Sequence, residues 1–448
     1  MKRSHLLIIL AVLLSVSLSC NFIKRFAPPT EAPAPASQPQ EPELADPAKP
    51  AEEIPVEPPA VETPTEYPTI HPTITAQPPT PTTAVAVNPA EPMPTGFLTV
   101  AGDNNSLMVY NAQGQPIGLI QTPGLNAGGF AGGIVHVAGG APGGAINVPV
   151  IYHAFDDSTK IKQNLNGQIS DLISGVDVTY VRGAPGQAAF VYVTTDWTGD
   201  ALVSHVYARN IQGGGAAWVW ERTDPQIWAI FPLAVQAAND EPQGIWYSLM
   251  PFGIGGDIVF PPHKGLYYLD LTSGGTENLY LVEDFNPVGL SPDLTWVAYA
   301  EADNGFVNGE NPTLTLYNLY TTVGINIPIN PASNRGAGFA VFSPDNQYVA
   351  WMEGAGWLMA ETPDFHSKIV IADINGVIIT ELRDNILAGF TGDPSAYMVQ
   401  PMGWLDSETL IVEVRGDDWG NTSLVKTRFD GSGMEYLAPG RFAGFIYP

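Results

Sequence analysis

From about residue 96 onward, short runs rich in Val, Ile, Tyr and Trp alternate with clusters of Gly, Asn, Asp and Pro. No window of helical length keeps apolar residues at spacings of three and four, so the pattern predicts an all-β domain. The runs recur. LSPDLTWVAYA (Leu290 to Ala300) returns 52 residues later as FSPDNQYVAWM (Phe342 to Met352), and GWLDSETLIVEV (Gly403 to Val414) follows after another 61. Each copy is followed, past a variable loop, by a strand, an Asx/Gly turn and a strand: LTLYNLYTTVGINIPI, KIVIADINGVIITEL and LVKTRFDGSGMEYL. That later element also occurs as SLMVYNAQGQPIGLI from Ser106 and GLYYLDLTSGGTENLYLV from Gly265, and degenerate openings start at Val178 and Leu233. A unit of about 45 to 60 residues with four short strands is a β-propeller blade, whose radial closure hides the sheet edges. Dividing the roughly 350 residues of 96–448 by about 50 gives seven blades, with six as the alternative. The terminal RFAGFIYP is expected to pair with GFLTVAG and close the ring.

Ser-Pro-Asp is a turn with a mechanism: proline presets φ and the carboxylate accepts nearby backbone N–H groups. Ser291-Pro292-Asp293 and Ser343-Pro344-Asp345, each followed by an apolar strand ending Val-Ala-aromatic, resemble the PD40 repeat of TolB-type propellers. Trp404-Leu405-Asp406 is a partial copy. The resemblance implies a propeller, and with TolB as guide a partner that is a periplasmic or envelope protein. The fold itself serves binding, scaffolding and, in places, catalysis.

The first 95 residues read differently. Lys2 and Arg3 precede an apolar run from Leu6 to Leu14. Even Leu6 to Ser19 would rise only about 21 Å as a helix, short of a bilayer core of about 30 Å. Residues 1–19 are therefore expected to be a signal peptide. Ser17 and Ser19 stand at −3 and −1 before Cys20, the chain's single cysteine. This resembles a bacterial lipoprotein lipobox, with leucine at −2 rather than −3, and it implies lipidation of Cys20. Residues 20–95 form a Pro/Thr/Glu-rich linker; 20 of the chain's 42 prolines fall between Pro28 and Pro94. Such a segment is expected to be a disordered spacer of polyproline II character, reaching roughly 200 Å if extended. The expected address is outside the cytoplasm, anchored on the outer side of the cytoplasmic membrane or at the cell surface.

Charge narrows the partners. The chain carries 18 Lys+Arg against 45 Asp+Glu, a net −27. Of that, 13 against 35, or −22, belongs to residues 96–448. Such a surface repels phosphate backbones, so no nucleic-acid partner is expected. One cysteine rules out a disulfide framework or a CxxC redox pair. HExxH, GxSxG and Walker patterns are missing. His136, His153 and His205 sit in apolar strand runs and read as packing residues, while His263 and His366 lie in loops. Metal-holding histidines of the kind some PD40 sugar lyases use would need a cluster that this spacing does not offer.

Insertions recur between the second and third strands of a blade, at Thr195–Asp200, Pro251–Lys264, Glu301–Pro312, Glu353–Ser367 and Arg415–Ser423. In a propeller these share one face, and loops on a rigid scaffold are where binding residues concentrate. The ligand-binding candidates are Trp197, Asp200, Asp257, Trp357, Asp364, His366, Asp417 and Trp419. Aromatics supply stacking area for sugars, and carboxylates attract cations or basic partners. Asp303, Asn308 and Glu310 make calcium a narrower option, since hard cations want several oxygens, and no other cofactor is expected. No catalytic residue stands out. The expectation is a membrane-anchored, non-catalytic binding module for an envelope or extracellular glycan or protein. The alternatives are a polysaccharide lyase or hydrolase with its site at the channel mouth, and a scaffold in an envelope complex.

Overall fold

The computed structural model describes residues 92–102, 105–125, 134–136, 150–155, 159–174, 176, 178–210, 217–253, 260–282, 285–301, 313–329, 335–355, 366–416 and 421–447. The chain separates into units Met1–Pro72 and Thr73–Pro448, and all described residues belong to the second. The expected signal peptide, Cys20 and nearly all of the linker lie outside them.

Seven four-stranded antiparallel sheets follow one another among the described residues, so the propeller has seven blades, not six. Blade 1 holds Gly96–Val100, Ser106–Asn111 and Pro116–Gln121. Blade 2 holds Ile134–His136, Val150–Phe155, Thr159–Leu165 and Gln168–Ile173. Blade 3 runs Val178–Gly183, Ala189–Thr198, Ala201–Asn210 and Ala217–Asp224, and blade 4 Trp228–Ala238, Glu241–Pro251, Lys264–Asp270 and Thr276–Leu281. Blade 5 takes Phe285–Leu290, Trp296–Glu301, Thr313–Asn318 and Gly324–Pro328; blade 6 takes Arg335–Phe342, Tyr348–Ala355, Ser367–Asp373 and Ile378–Arg383. A short helix, α1 (Asp384–Thr391), leads to blade 7: Met398–Trp404, Thr409–Arg415, Thr422–Arg428 and Glu435–Pro439.

Blade 1 lacks its own inner strand, and the C-terminal Arg441–Ile446 supplies it. Gly96 pairs with Ile446, Phe97 with Phe445 and Val100 with Arg441. The closure expected of RFAGFIYP is therefore present. First strands of successive blades touch one another and form the inner ring. Antiparallel alternation then assigns the faces. Links from second to third strand, and links between blades, emerge on one side, the long-loop face. Turns from first to second and from third to outer strand emerge on the other, the turn face. The chain enters on the turn face, where Pro92 lies against the Gly186 turn of blade 3.

The Ser-Pro-Asp turn explains its own sequence. The buried Ser343 hydroxyl donates to Asp345 Oδ1 at 2.7 Å and accepts from the amides of Gln347 at 3.1 Å and Tyr348 at 3.0 Å. Ser291 repeats this with Asp293, Thr295 and Trp296. One hydroxyl thus accepts from two amides: the first, of Gln347 or Thr295, is shared with the aspartate carboxylate, and the second, of Tyr348 or Trp296, donates to the hydroxyl. Ser343→Ala is expected to cost about 1–3 kcal/mol, read as a lower urea midpoint. An unchanged midpoint would mean that the carboxylate can organise the turn unaided.

The degenerate blades keep the turn by other means. In blade 7 Asp406 Oδ1 accepts the amides of Glu408 and Thr409, both at 2.8 Å, with Leu405 in the serine's place. Blade 3 has Ala184 there, and the backbone bonds of the turn persist. Its exposed-to-solvent alternative is replaced by a neighbour: the Ala188 amide donates to Asp240 Oδ1 of blade 4 at 2.8 Å, and the Asp240 amide donates back to Gln187 Oε1 at 2.9 Å.

Between blades the alternating strand faces interlock. Ala298, Leu314 and Ile327 of blade 5 pack on Phe342, Val349 and Trp351 of blade 6, and the other seams follow suit. Trp246 and Trp351 are fully enclosed, each removing enough apolar surface that truncation to alanine would cost about 3–5 kcal/mol.

Candidate functional site

Every proposed insertion joins a second strand to a third, so all five emerge on the long-loop face. Asp257, Trp357, Asp364, Asp417 and Trp419 lie outside the described residues, as do Asp303, Asn308 and Glu310. Among the described residues no group of three or more His, Cys, Asp or Glu side chains could hold a metal ion.

Trp197 and Asp200 are described, and their segment is not an inserted loop. Thr195 to Thr198 continue the second strand of blade 3, paired through to Thr198↔Ala201, and Gly199-Asp200 is the two-residue tip of a long hairpin. Strand pairing fixes the backbone, while Trp197 stands 56% exposed at the tip. An indole held out on a paired hairpin costs little ordering to use, which favours stacking on a ligand. Behind it His205 faces Asp196 through Nε2 and Glu221 through Nδ1, each at 3.5 Å. His205 is thus partly exposed and charge-flanked, whereas its apolar run led to the expectation of a packing residue.

His366 lies at the foot of the blade 6 loop, its ring exposed. Its Nδ1 meets Asp384 Oδ2 at 2.5 Å. Asp384 is buried at the start of α1, and its Oδ1 accepts the Asn385 amide at 2.7 Å. The contact ties the loop to the helix.

The bases of the blade 6 and blade 7 loops carry buried charge that sequence reasoning missed. Lys368 Nζ lies 3.0 Å from Glu353 Oε2 and 2.7 Å from Glu381 Oε1, and the Trp351 indole N–H donates to Glu353 Oε1 at 3.2 Å. In blade 7 Arg415 Nε donates to Glu413 Oε1 at 2.6 Å and Nη2 to Gln400 Oε1 at 3.3 Å. The Phe442 amide of the closing strand donates to Glu413 Oε2 at 2.7 Å. Burial pushes the adjacent Arg441 guanidinium below its ordinary range, Arg415 adds to that, and Glu413 opposes it. A charged residue two positions after a tryptophan, or two alternating charges closing an apolar run as in LIVEVR, was the available signal.

The blade 4 loop is anchored inward. Phe260 packs with Met352, Met398 and Phe339, so this loop reaches inner strands of blades 6 and 7. Gly338 makes room for it: a Cβ there would stand 2.4 Å from the Phe260 ring. His263, which the sequence places in a loop, is buried. Its Nδ1 and Ser248 Oγ are 2.8 Å apart, its amide donates to Asn286 Oδ1 at 3.1 Å, and Phe231 meets the ring edge-on. Ser248 is also fully enclosed, so this pair holds a loop base and has no access to substrate.

Burial pushes the His263 pKa from 6.5 down to about 4. Between those values the unfolded chain binds a proton that the folded chain refuses. Stability is therefore expected to fall as pH drops from about 6.5 toward 4, by on the order of 3 kcal/mol. Burial lowers His153 too and adds in the same direction. Urea midpoints across this range should slope less in His263→Gln; an equal slope would mean that the ring is hydrated.

No protein-family model matches the chain, and no curated protein matches it. Solved structures do. TolB from Acinetobacter baumannii is 13% identical, with 78% of this chain covering 80% of that one at a TM-score of 0.37. Oligogalacturonate lyase from Vibrio parahaemolyticus is 11% identical over 65% and 74%, with a TM-score of 0.42. A puromycin hydrolase S511A mutant is 9% identical at a TM-score of 0.50, with 80% of this chain spanning 54% of the hydrolase, about half its length. These likenesses are of fold. Among the described residues no helix is long and apolar enough to cross a membrane. The chain is a seven-bladed β-propeller, similar to TolB structures.

Proposed function

We propose that the protein is an exported, lipid-anchored binding module whose long-loop face takes an envelope or extracellular glycan or protein. The observation that carries this is Trp197, exposed on a paired hairpin at that face. A flat apolar ring held on a fixed backbone offers a stacking surface, one of the contacts a sugar ring uses. The titratable groups at the loop bases are engaged with one another: Glu353 with Lys368, Glu413 with Arg415, His366 with Asp384. Pairs of this kind stiffen a rim and leave the chemistry to shape and stacking. Calcium held by Asp303, Asn308 and Glu310 would order the blade 5 loop on the same face.

The test is a glycan array probed with the full chain, with and without calcium, followed by titration of the best ligand. Trp197→Ala is expected to leave stability within about 0.5 kcal/mol and to weaken binding about tenfold or more. Retained binding would move the ligand to another surface. Ligand cleavage, with release of shorter products, would favour the lyase or hydrolase alternative. The anchor has its own test: Cys20→Ser should abolish incorporation of labelled fatty acid and release the protein from membranes.

A further inference from the structure

The turn face carries a second surface, independent of the long loops. The turns from third to outer strand of blades 1, 6 and 7 rest on the outer strand of the preceding blade. In blade 6, Gly376 (φ 83°) lies so near Ile325 of blade 5 that a Cβ would stand 2.7 Å from Ile325 Cγ2. Gly431 of blade 7 likewise approaches Thr380 and Leu382 of blade 6. This overlap joins the rim of neighbouring blades into one surface.

In blades 5 and 6 that rim is apolar where turns are usually polar. Tyr320 and Val323 flank the blade 5 turn, and Val377 and Ile378 follow the blade 6 turn, with Val323 at 56% and Val377 at 60% exposure. Contiguous exposed apolar groups with polar borders mark contact surfaces.

The border has one sign. Residues 225–383 contain four Lys and Arg: Lys264, Arg335, Lys368 and Arg383. Strand direction places all four at strand ends on the long-loop face. The turns of these blades instead carry Asp240, Asp270, Asp293, Asp345 and Asp373. Partial burial pushes the Asp270 carboxyl up, but bonds from Thr272 and Ser273 outweigh it and hold the group below its ordinary range. Glu277 is met by Arg222 of blade 3 at 3.0 Å.

We propose that this rim docks a cationic amphipathic segment of a partner protein, its apolar side chains on Tyr320, Val323 and Val377 and its Lys or Arg against the turn carboxylates. Charge complementarity selects this occupant. Anionic lipid and nucleic acid are repelled. A second copy would set like charge against like. The chain's own linker is also ill-suited, because residues 20–95 hold three Lys and Arg against ten Asp and Glu.

The experiment titrates the full chain with a fluorescent peptide of alternating Lys and Leu, beside Lys/Ser and Glu/Leu peptides. Only the Lys/Leu peptide should bind, more weakly as salt rises. The paired change Val323→Ser and Val377→Ser is expected to weaken it about tenfold. Asp270→Asn with Asp373→Asn should weaken it about threefold to tenfold. Those turns survive the change, because Asn already fills the place at Asn111 and Asn318. Trp197→Ala should leave peptide binding unaltered, which separates this surface from the long-loop face. Equal binding of the Lys/Ser peptide would overturn the proposal, as would indifference to the valine changes. Self-association of the chain that those valine changes abolish would equally overturn it, by making a second copy the occupant.

Discussion

A chain truncated after Gly440, without residues 441–448, is expected to lose its cooperative unfolding transition. The removed segment is the inner strand of blade 1, and its loss undoes two seams at once. Gly96–Val100 becomes an open inner edge with Phe97 and Leu98, both fully enclosed in the intact ring, exposed to water. Blade 7 loses Phe442 and Phe445, which pack on its Leu405, Ile411 and Leu424. Glu413 loses the Phe442 amide as well, so a buried carboxylate oxygen is left unbonded. Each lost large side chain is worth about 2–5 kcal/mol, against a total stability of about 5–15 kcal/mol for a domain. Calorimetry and near-ultraviolet circular dichroism would report the result. Truncation after Ile446 keeps every paired residue and should behave like the full chain. Retention of a sharp transition by the shorter form would mean that six blades and a three-stranded remnant suffice.

Lys368→Met should be the most damaging single substitution in the blade 6 loop base. Lys368 is buried between Glu353 and Glu381, and Glu353 is buried more deeply still. Removing the ammonium strands the Glu353 carboxylate, whose remaining partner is the Trp351 indole N–H. Breaking one side of a buried pair costs about 3–5 kcal/mol, a fall in Tm on the order of 10 °C. Adding Glu353→Gln should recover most of that loss, because the amide needs no counter-charge and still accepts from the indole. A loss below about 1 kcal/mol for the single variant would mean that the pair is solvated and worth no more than an exposed one.

How far the fold was legible follows from the range of its signals. Ser291-Pro292-Asp293 and Ser343-Pro344-Asp345 organise their turns with their own side chains, so both are visible in a local string. Blade 3 hides its turn, because the carboxylate that serves Ala188 comes from Asp240 in the next blade. The same limit applies to the loop bases. Glu353 and Lys368 stand opposite across a strand pair, and no local pattern announces that their charges meet. His263 misled for a related reason: Pro261 and Pro262 beside it read as a loop, whereas Ser248, Phe231 and Asn286, from three different strands, enclose it. The shared face of the insertions was legible because strand parity decides it. The extension of the Trp197 hairpin was not, since TDWTGD reads as a break until its cross-strand register is known.

The closing sheet also has a mechanical consequence. Any tension carried by the residues before Gly96 enters the ring at the turn-face end of a strand that is hydrogen-bonded on both sides, to Arg441–Ile446 and to Ser106–Asn111. A pull directed along that strand would load both rows of bonds in shear instead of opening them one at a time. Such a load would fall on the turn-face end of blade 1, at the opposite end of the blades from the long-loop face.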